Sequence, residues 1–196
     1  MHDVIRPDIR GLEADAYQQS GYFTSAQARL RGVSRQLLDH HVTQRRFERV
    51  RRGLYRLRGF PSSPHDDIRE KWMAVGPEKA AVSHQSALAL LELSDNIPDD
   101  VHLLVPRRHR GLRRPGGVVI HTRPDDEQVA TVWRDGMPLT TPARTLVDVA
   151  DELQPEQAAM AAQQALTRGL LTRRQLEAEA VRQGKTRVLD TLLPGR

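Results

Sequence analysis

The 196-residue sequence contains no cysteine, which excludes a disulfide framework and a thiolate metal site. Aromatic residues make up only 4% of the chain, so a hydrophobic core has to be built from Leu, Val, Ile and Ala. The same shortage leaves few rings on which unpaired bases could stack, which favours double-stranded DNA over RNA as a nucleic-acid partner. The sequence also lacks an apolar signal segment and any run of about 18 apolar residues, which predicts a soluble, cytoplasmic protein.

Sequence motifs for catalysis and metal binding are missing as well. The eight histidines are scattered along the chain and predict no zinc site. No glycine-rich phosphate loop or Gly-x-Ser-x-Gly motif occurs. A restriction-like nuclease would need Glu-x-Lys on a strand, with both side chains on one face. Here glutamate and lysine occur together only as direct neighbours, at Glu70-Lys71 and Glu78-Lys79, and a strand would point such neighbours to opposite faces. The sequence therefore predicts a protein that is not an enzyme and that needs no metal or cofactor.

A pattern typical of a helix-turn-helix does occur near the start of the chain. Thr24 and Gln27 have the spacing of a capping box, which predicts the start of a helix. Gly32 can end that helix in the left-handed conformation, and Ser34 is a suitable N-cap for a second helix over residues 34–44. The short glycine-containing turn between the two helices is that of a helix-turn-helix.

The second helix has an apolar stripe on one side and polar side chains on the other. Leu37, Leu38, His41 and Val42 recur at helical spacing and are expected to face the core. A polar helix face of this kind can contact base edges in the major groove of DNA. The residues predicted to form it, with the capping serine, are Ser34, Arg35, Gln36, Asp39, His40 and Thr43.

Two strand-like runs, 47–50 and 54–57, follow the second helix. Between them lies Arg51-Arg52-Gly53, where glycine supplies the positive φ of a tight hairpin. The pattern predicts a β-hairpin wing lined with arginines. The side chains predicted to hold DNA phosphates are Arg45, Arg46, Arg51, Arg52 and Arg56.

Positive charge is concentrated in this region. Between Arg29 and Arg58 the sequence has ten arginines and two acids, whereas the whole chain carries a net charge of only +5. A local field of one sign fits a surface that faces phosphates better than it fits general solubility. The alternative is an arginine-coated helical hairpin without a nucleic-acid partner.

The stretch 59–64 is rich in Pro, Gly and Ser and predicts a domain boundary. A winged helix-turn-helix domain would cover 1–60, and a second domain would cover 64–196. That second domain begins with a predicted helix at Pro64 and continues with short strands. From Thr141 the hydrophobic period changes to 3.6, which predicts a closing layer of helices. The expected fold class is α+β.

The second domain contains four candidate site residues, namely His84, His121, Arg144 and Asp148. Arg144 and Asp148 are four residues apart on a predicted helix, and such an ion pair is usually structural. A structural role for all four is the leading interpretation, and a functional site is the alternative.

A cluster of arginines lies between two predicted strands of the second domain. It consists of Arg107, Arg108, Arg110, Arg113 and Arg114. Like charges this close repel one another unless an anion is near, so a second nucleic-acid contact and a solvated loop are equally good interpretations.

Several segments together resemble the AbiEi family, which comprises antitoxins of type IV toxin–antitoxin, or abortive infection, systems. In the winged helix these are Gly-Tyr-Phe-Thr-Ser-Ala-Gln-Ala at 21–28, Val-Ser-Arg-Gln-Leu-Leu at 33–38 and Arg-Phe-Glu-Arg-Val-Arg-Arg-Gly-Leu-Tyr-Arg-Leu at 46–57. In the second domain they are Val-Ser-His-Gln-Ser-Ala-Leu-Ala-Leu-Leu at 82–91, His-Leu-Leu-Val-Pro-Arg-Arg at 102–108, Val-Val-Ile-His at 118–121 and Thr-Thr-Pro-Ala-Arg-Thr-Leu-Val-Asp-Val-Ala at 140–150. The resemblance covers nearly the whole chain.

The resemblance implies a division of labour between the two domains. The winged helix would bind inverted repeats in the promoter of its own operon and repress it. The second domain would counter a nucleotidyltransferase toxin, without the need for a stable complex. A different hypothesis is an interaction protein whose second domain binds a toxin or RNA directly through residues 107–114, with DNA binding secondary. An enzyme acting on nucleic acid, dependent on Asp148 or His84 and a divalent metal, is the least supported hypothesis.

Overall fold

The computed structural model describes residues 6–95 and 98–195, which divide into two compact units. The first unit ends at Pro77 and the second begins at Glu78. Within the described ranges, no helix is both long enough and apolar enough to cross a membrane. The first unit contains, in chain order, α1 (Ile9–Gln18), β1 (Tyr22–Thr24), α2 (Ser25–Leu30), α3 (Arg35–Thr43), β2 (Phe47–Arg51), β3 (Leu54–Leu57) and α4 (Asp66–Val75).

Side-chain caps set the starts of α2 and α3, as their spacing predicts. The Thr24 backbone N–H donates to Gln27 Oε1 at 2.8 Å, and the Gln27 backbone N–H donates to Thr24 Oγ1 at 3.2 Å. Ser34 Oγ accepts from the Leu37 backbone N–H at 3.2 Å and caps α3. Gly32 has a φ of 70° between the two helices. The predicted helix-turn-helix is therefore confirmed.

The wing is an antiparallel hairpin of β2 and β3, and β1 pairs with the other edge of β3. Gly53 has a φ of 81° in the hairpin turn, a conformation that glycine adopts without steric cost. The Phe23 ring lies 5.0 Å from the Phe47 ring and 5.6 Å from the Tyr55 ring, measured between centroids. These rings form, with Leu12 and other apolar side chains of the helices, one hydrophobic core.

Helix α4 packs against β1 and β3 and so belongs to the first unit. The sequence pattern instead predicts this helix as part of the second domain, starting at Pro64, two residues before its observed start at Asp66. Asp66 and Glu70 of α4 accept hydrogen bonds from Arg56 and Arg51 of the wing. These ion pairs, with the burial of Trp72, explain why the helix stays with the winged helix.

The second unit combines a five-stranded sheet with a helical layer, which confirms the α+β fold class. Its elements are β4 (Ala81–Val82), α5 (His84–Leu90), β5 (Val101–Pro106), β6 (Val118–Arg123), β7 (Thr131–Arg134), β8 (Met137–Thr140), α6 (Pro142–Val149), α7 (Pro155–Thr167), α8 (Arg173–Arg182) and α9 (Val188–Leu192). The strand order is β6-β5-β4-β8-β7, with β5/β6 and β4/β8 parallel and the other two pairs antiparallel. Helix α6 is buried along its whole length and packs against α5, α7 and α8.

The arginine cluster of residues 107–114 lies in the connection between the parallel strands β5 and β6. Pairing between β5 and β6 runs from Val101–Val118 to Pro106–Arg123 in the same direction. The chain must therefore return from the end of β5 to the start of β6, and it does so over residues 107–117, which begin with a short 3₁₀ turn at Arg107–His109. A hairpin at Asp135-Gly136, by contrast, joins the antiparallel strands β7 and β8.

Candidate nucleic-acid interface and a histidine cluster

Helix α3 presents to solvent every residue predicted to contact bases. Ser34, Arg35, Gln36, Asp39, His40 and Thr43 are all exposed. On the opposite side, Leu38 is 1% exposed and fixes the helix to the core. Leu37, His41 and Val42 are half-buried at the margins of that side. The exposed face thus offers both hydrogen-bond donors and acceptors on a helix whose rotation is set by its apolar side.

Two of the predicted phosphate-binding arginines have no carboxylate of the described residues within ion-pair distance. Arg45 directly follows the C-cap of α3, and Arg52 lies at the turn of the wing; both are exposed. Arg45 has a φ of 56°, in the left-handed region that non-glycine residues seldom adopt. The positive charge of both side chains is available to an external anion.

Arg46 and Arg51 are partly neutralised by acids of their own unit. Arg46 donates through Nε and Nη2 to the two carboxylate oxygens of Glu13, at 2.7 and 2.9 Å. The hydrogen bond to Glu13 raises the pKa of Arg46. Arg51 Nε donates to Glu70 Oε1 at 2.7 Å. A phosphate would have to compete with these carboxylates.

Arg56 is placed inside the protein and not on its surface. It is 9% exposed, and its Nη2 donates to the Pro61 carbonyl at 2.8 Å and to Asp66 Oδ2 at 3.1 Å. Its guanidinium carbon also lies 4.8 Å from the centre of the Tyr22 ring. Strand β3 is the central strand and is covered by α4, so burial removes Arg56 from the predicted phosphate-binding set. Arg49 and Arg58, which the prediction omits, are exposed.

The five arginines of residues 107–114 are all exposed. The Arg108 backbone N–H donates to Asp125 Oδ1 at 2.9 Å, and its guanidinium lies 3.7 Å from the same oxygen. Among the described residues, no carboxylate pairs with the other four. A second nucleic-acid contact and a solvated loop both remain predictions for this segment.

Arg144 and Asp148 form the predicted ion pair, but it is one part of a larger buried network. Arg144 Nε lies 2.8 Å from Asp148 Oδ2, and Arg144 Nη1 donates to Glu127 Oε1 at 2.6 Å. Arg182 of α8 donates to the same Glu127 oxygen, also at 2.6 Å. Burial lowers the pKa of Arg144, but Asp148 and Glu127 outweigh burial and raise it. The network ties α6, α8 and the loop before β7 together.

His84 and His121 lie in a cluster that also contains His102, which the sequence analysis does not single out. The rings of His84 and His121 are stacked with their centroids 3.3 Å apart. His102 Nδ1 is 2.9 Å from His121 Nε2. Burial, reinforced by the neighbouring histidines, lowers the pKa of His84 to about 2 and the pKa of His121 to about 4. Both imidazoles are therefore neutral at neutral pH.

Glu152, in the turn after α6, approaches the same cluster. Its Oε1 lies 3.9 Å from His84 Nε2. Neither Glu152 nor His102 carries a local sequence signal, because they come from a turn and from a strand far away along the chain. Only the parallel register of β5 and β6, which places His102 opposite Val119, brings the strand histidines to one side of the sheet.

Two family models match the chain. One, described as a transcriptional regulator, AbiEi antitoxin, matches residues 16–58. The other, described as the AbiEi antitoxin C-terminal domain, matches residues 79–192, which is more than half of the chain. No curated protein is significantly similar to the sequence.

The fold also resembles a solved structure, that of the RV2827C protein from Mycobacterium tuberculosis. The two share 13% sequence identity with a TM-score of 0.53, over 96% of this chain and 78% of that chain. At this identity the likeness shows the fold alone.

Proposed function

The chain belongs to the AbiEi family of transcriptional regulators and antitoxins, and from this premise we propose that it is a DNA-binding autorepressor of a type IV toxin–antitoxin system. Its winged helix would bind operator repeats. Its second domain would counter a nucleotidyltransferase toxin, without the need for a stable complex. The proposal assigns the chain no catalytic step.

The observation that carries the DNA-binding part is the exposed face of α3, together with two exposed arginines of the same unit that pair with no carboxylate in the described part of the chain. An exposed guanidinium can neutralise a phosphate directly, whereas one already bound to a carboxylate must first exchange that partner. Arg45 at the end of α3 and Arg52 at the turn of the wing are both exposed and pair with no described carboxylate. They are the arginines best suited to phosphate contacts.

The start of α3 suits base recognition. In helix-turn-helix proteins the N-terminal residues of the recognition helix contact base edges. Arg35 can donate two hydrogen bonds to guanine, and Gln36 can bond adenine through both its amide atoms. Both side chains are exposed at this end of the helix. We therefore assign base contacts chiefly to these two residues.

The proposal is tested by the salt dependence of DNA binding by the full chain. The duplex should carry the repeat from its own upstream region, with affinity measured by fluorescence anisotropy between low and physiological salt. Binding should weaken steeply with salt, by a log–log slope of about 0.9 per neutralised phosphate. The double variant Arg45→Ala and Arg52→Ala should lower that slope by about 1.8.

Two variants serve as controls in this experiment. Gln36→Ala should keep the wild-type slope but lose preference for the repeat over a scrambled duplex by about tenfold. Arg174→Ala, at an exposed position of α8 in the second unit, should change neither quantity. Binding that ignores salt, or a double variant with the wild-type slope, would contradict the proposal.

The alternative function gives the main role to the second unit. Here residues 107–114 would bind a toxin or RNA directly, and DNA binding would be secondary. It is favoured by the four exposed arginines of that segment for which the described residues provide no acidic partner. The alternative requires a toxin or RNA that co-purifies stably with the full chain, and the leading proposal does not.

A further inference from the structure

The second unit contains a set of side chains with the composition of a metal site. His84 at the start of α5, His121 on β6 and Glu152 in the turn after α6 each offer one ligand atom, and these atoms all lie within 4.8 Å of one another. The sequence predicts no such site because the three residues are far apart along the chain.

We infer that His84, His121 and Glu152 bind a divalent transition-metal ion, with Zn²⁺ as the preferred one. Two imidazole nitrogens and one carboxylate oxygen are a ligand set that proteins use for zinc, with a fourth position left to water. Magnesium and calcium prefer sites made of oxygen atoms and suit this set poorly. The inference is independent of DNA binding, because every ligand lies in the second unit.

The remaining ring nitrogens of both histidines have partners of the kind that orient a metal ligand. His84 Nδ1 lies 3.0 Å from Ser83 Oγ, which leaves His84 Nε2 directed towards Glu152. His121 Nε2 lies 2.9 Å from His102 Nδ1, which leaves His121 Nδ1 for the ion. Metal-binding histidines usually hydrogen-bond through the nitrogen that does not touch the metal, and this fixes the ring and its tautomer.

Solvent exposure differs from one end of the cluster to the other. His84 is 8% exposed, whereas Glu152 is exposed, so the cluster is closed on the side of the sheet and open to solvent on the side of the carboxylate. An ion can therefore enter past Glu152, and a bound water can occupy its fourth position.

The backbone at His84 has a φ of 49°, in the left-handed region that non-glycine residues seldom adopt. Its ring is stacked on that of His121 with the centroids 3.3 Å apart, closer than ordinary aromatic pairs at about 4.5–7 Å. The chain thus brings the two imidazole rings directly against each other.

Metal binding requires a small rearrangement of the cluster. Zinc bound at about 2.0–2.1 Å from each ligand needs the ligand atoms about 3.3 Å apart, and each ring has to contain the ion in its own plane. The two histidine rings are 14° from parallel, so at least one must turn out of the stack. Glu152, in an exposed turn, can move towards the ion.

The test is metal binding by the full chain after treatment with a chelator and dialysis. Isothermal titration with Zn²⁺ should give a stoichiometry of about one ion per chain, and Co²⁺ should give the visible absorption of a four-coordinate ion. Mg²⁺ should produce no heat of binding. A chain that binds neither Zn²⁺ nor Co²⁺ would overturn the inference.

Variants locate the site. Glu152→Gln and His121→Ala should each weaken Zn²⁺ binding more than tenfold, and His102→Gln should weaken it by about 10–100-fold through the lost support of His121. His84→Asn also removes a ligand while keeping a residue that tolerates positive φ. The matched controls His109→Gln and Glu156→Gln, which lie elsewhere in the second unit, should bind as the wild type does. Undiminished Zn²⁺ binding by Glu152→Gln, an exposed change that leaves the core intact, would overturn the inference.

Discussion

Two arginines of the first unit and one of the second are found in opposite surroundings. In the first unit, Arg45 and Arg52 point to solvent with no acidic partner among the described residues. In the second, Arg144 is buried and lies within hydrogen-bonding distance of Asp148 and Glu127. The same side chain thus stabilises the fold at one place and is left for an external anion at another. The presence of a carboxylate within reach, and not the number of arginines, makes the difference.

The first unit contains intermediate cases as well. Arg56 is buried with one carboxylate and a carbonyl, and Arg51 is partly exposed with one carboxylate. Removing one partner of a buried ion pair leaves an uncompensated buried charge and costs much stability. Removing an exposed arginine costs little stability. Loss of stability on mutation should therefore rise with burial and pairing, while loss of DNA binding should follow the reverse order.

The largest expected effect is that of Arg144→Met. The change leaves the Asp148 carboxylate buried without its ion-pair partner and removes one of the two arginines that bind Glu127. It should lower the free energy of unfolding by about 3–5 kcal/mol, measured by urea denaturation with circular dichroism. Arg174→Ala, the exposed control, should change it by less than about 0.5 kcal/mol. Equal losses in the two variants would remove the distinction between the two kinds of arginine.

Arg56→Met should have an intermediate effect on stability and none on the salt dependence of DNA binding. The change removes the hydrogen bonds from Arg56 to Asp66 and to the Pro61 carbonyl, as well as the contact with the Tyr22 ring, at a cost of about 2 kcal/mol. Tryptophan fluorescence can follow unfolding of this unit, because Trp72 is buried whereas Trp133 is 67% exposed already in the folded chain. A salt slope reduced by about one phosphate would show that Arg56 faces DNA after all.

Arg52→Ala should have the smallest effect on stability, within about 0.5 kcal/mol of the wild type. The side chain is exposed and pairs with no described carboxylate, so its loss leaves no buried group unsatisfied. In the same urea denaturation experiment, a loss of stability as large as that of Arg56→Met would mean that the folded wing depends on this guanidinium. An exposed, unpaired arginine of the wing would then stabilise the fold as a buried, paired one does, and the distinction from Arg144 would be wrong.

Local features of the fold could be read from the sequence. The capping box at Thr24, the cap at Ser34, the hairpin glycine at Gly53 and the ion pair of Arg144 with Asp148 all depend on residues within four positions of one another. Interactions of that range are determined by side-chain type and spacing alone. The helix-turn-helix, the wing and the α+β class were therefore predictable.

Features that depend on distant partners were not predictable in this way. The parallel pairing of β5 with β6, the attachment of α4 to the wing and the meeting of His84, His102, His121 and Glu152 all join residues far apart along the chain. Arg56 shows the same limit within a single strand, because its burial comes from α4, a helix that begins ten residues later. Alternation along a strand shows which residues share a face but not what covers that face.

The φ of 56° at Arg45 has a consequence for the stability of this region. Glycine is the residue that ends helices in this conformation most easily, and another residue there costs about 1–2 kcal/mol. A cation at the negative end of the α3 dipole offsets part of that cost, by about 0.3–1 kcal/mol. Arg45 therefore places a positive charge beside the surface assigned to DNA at a small net cost to the fold.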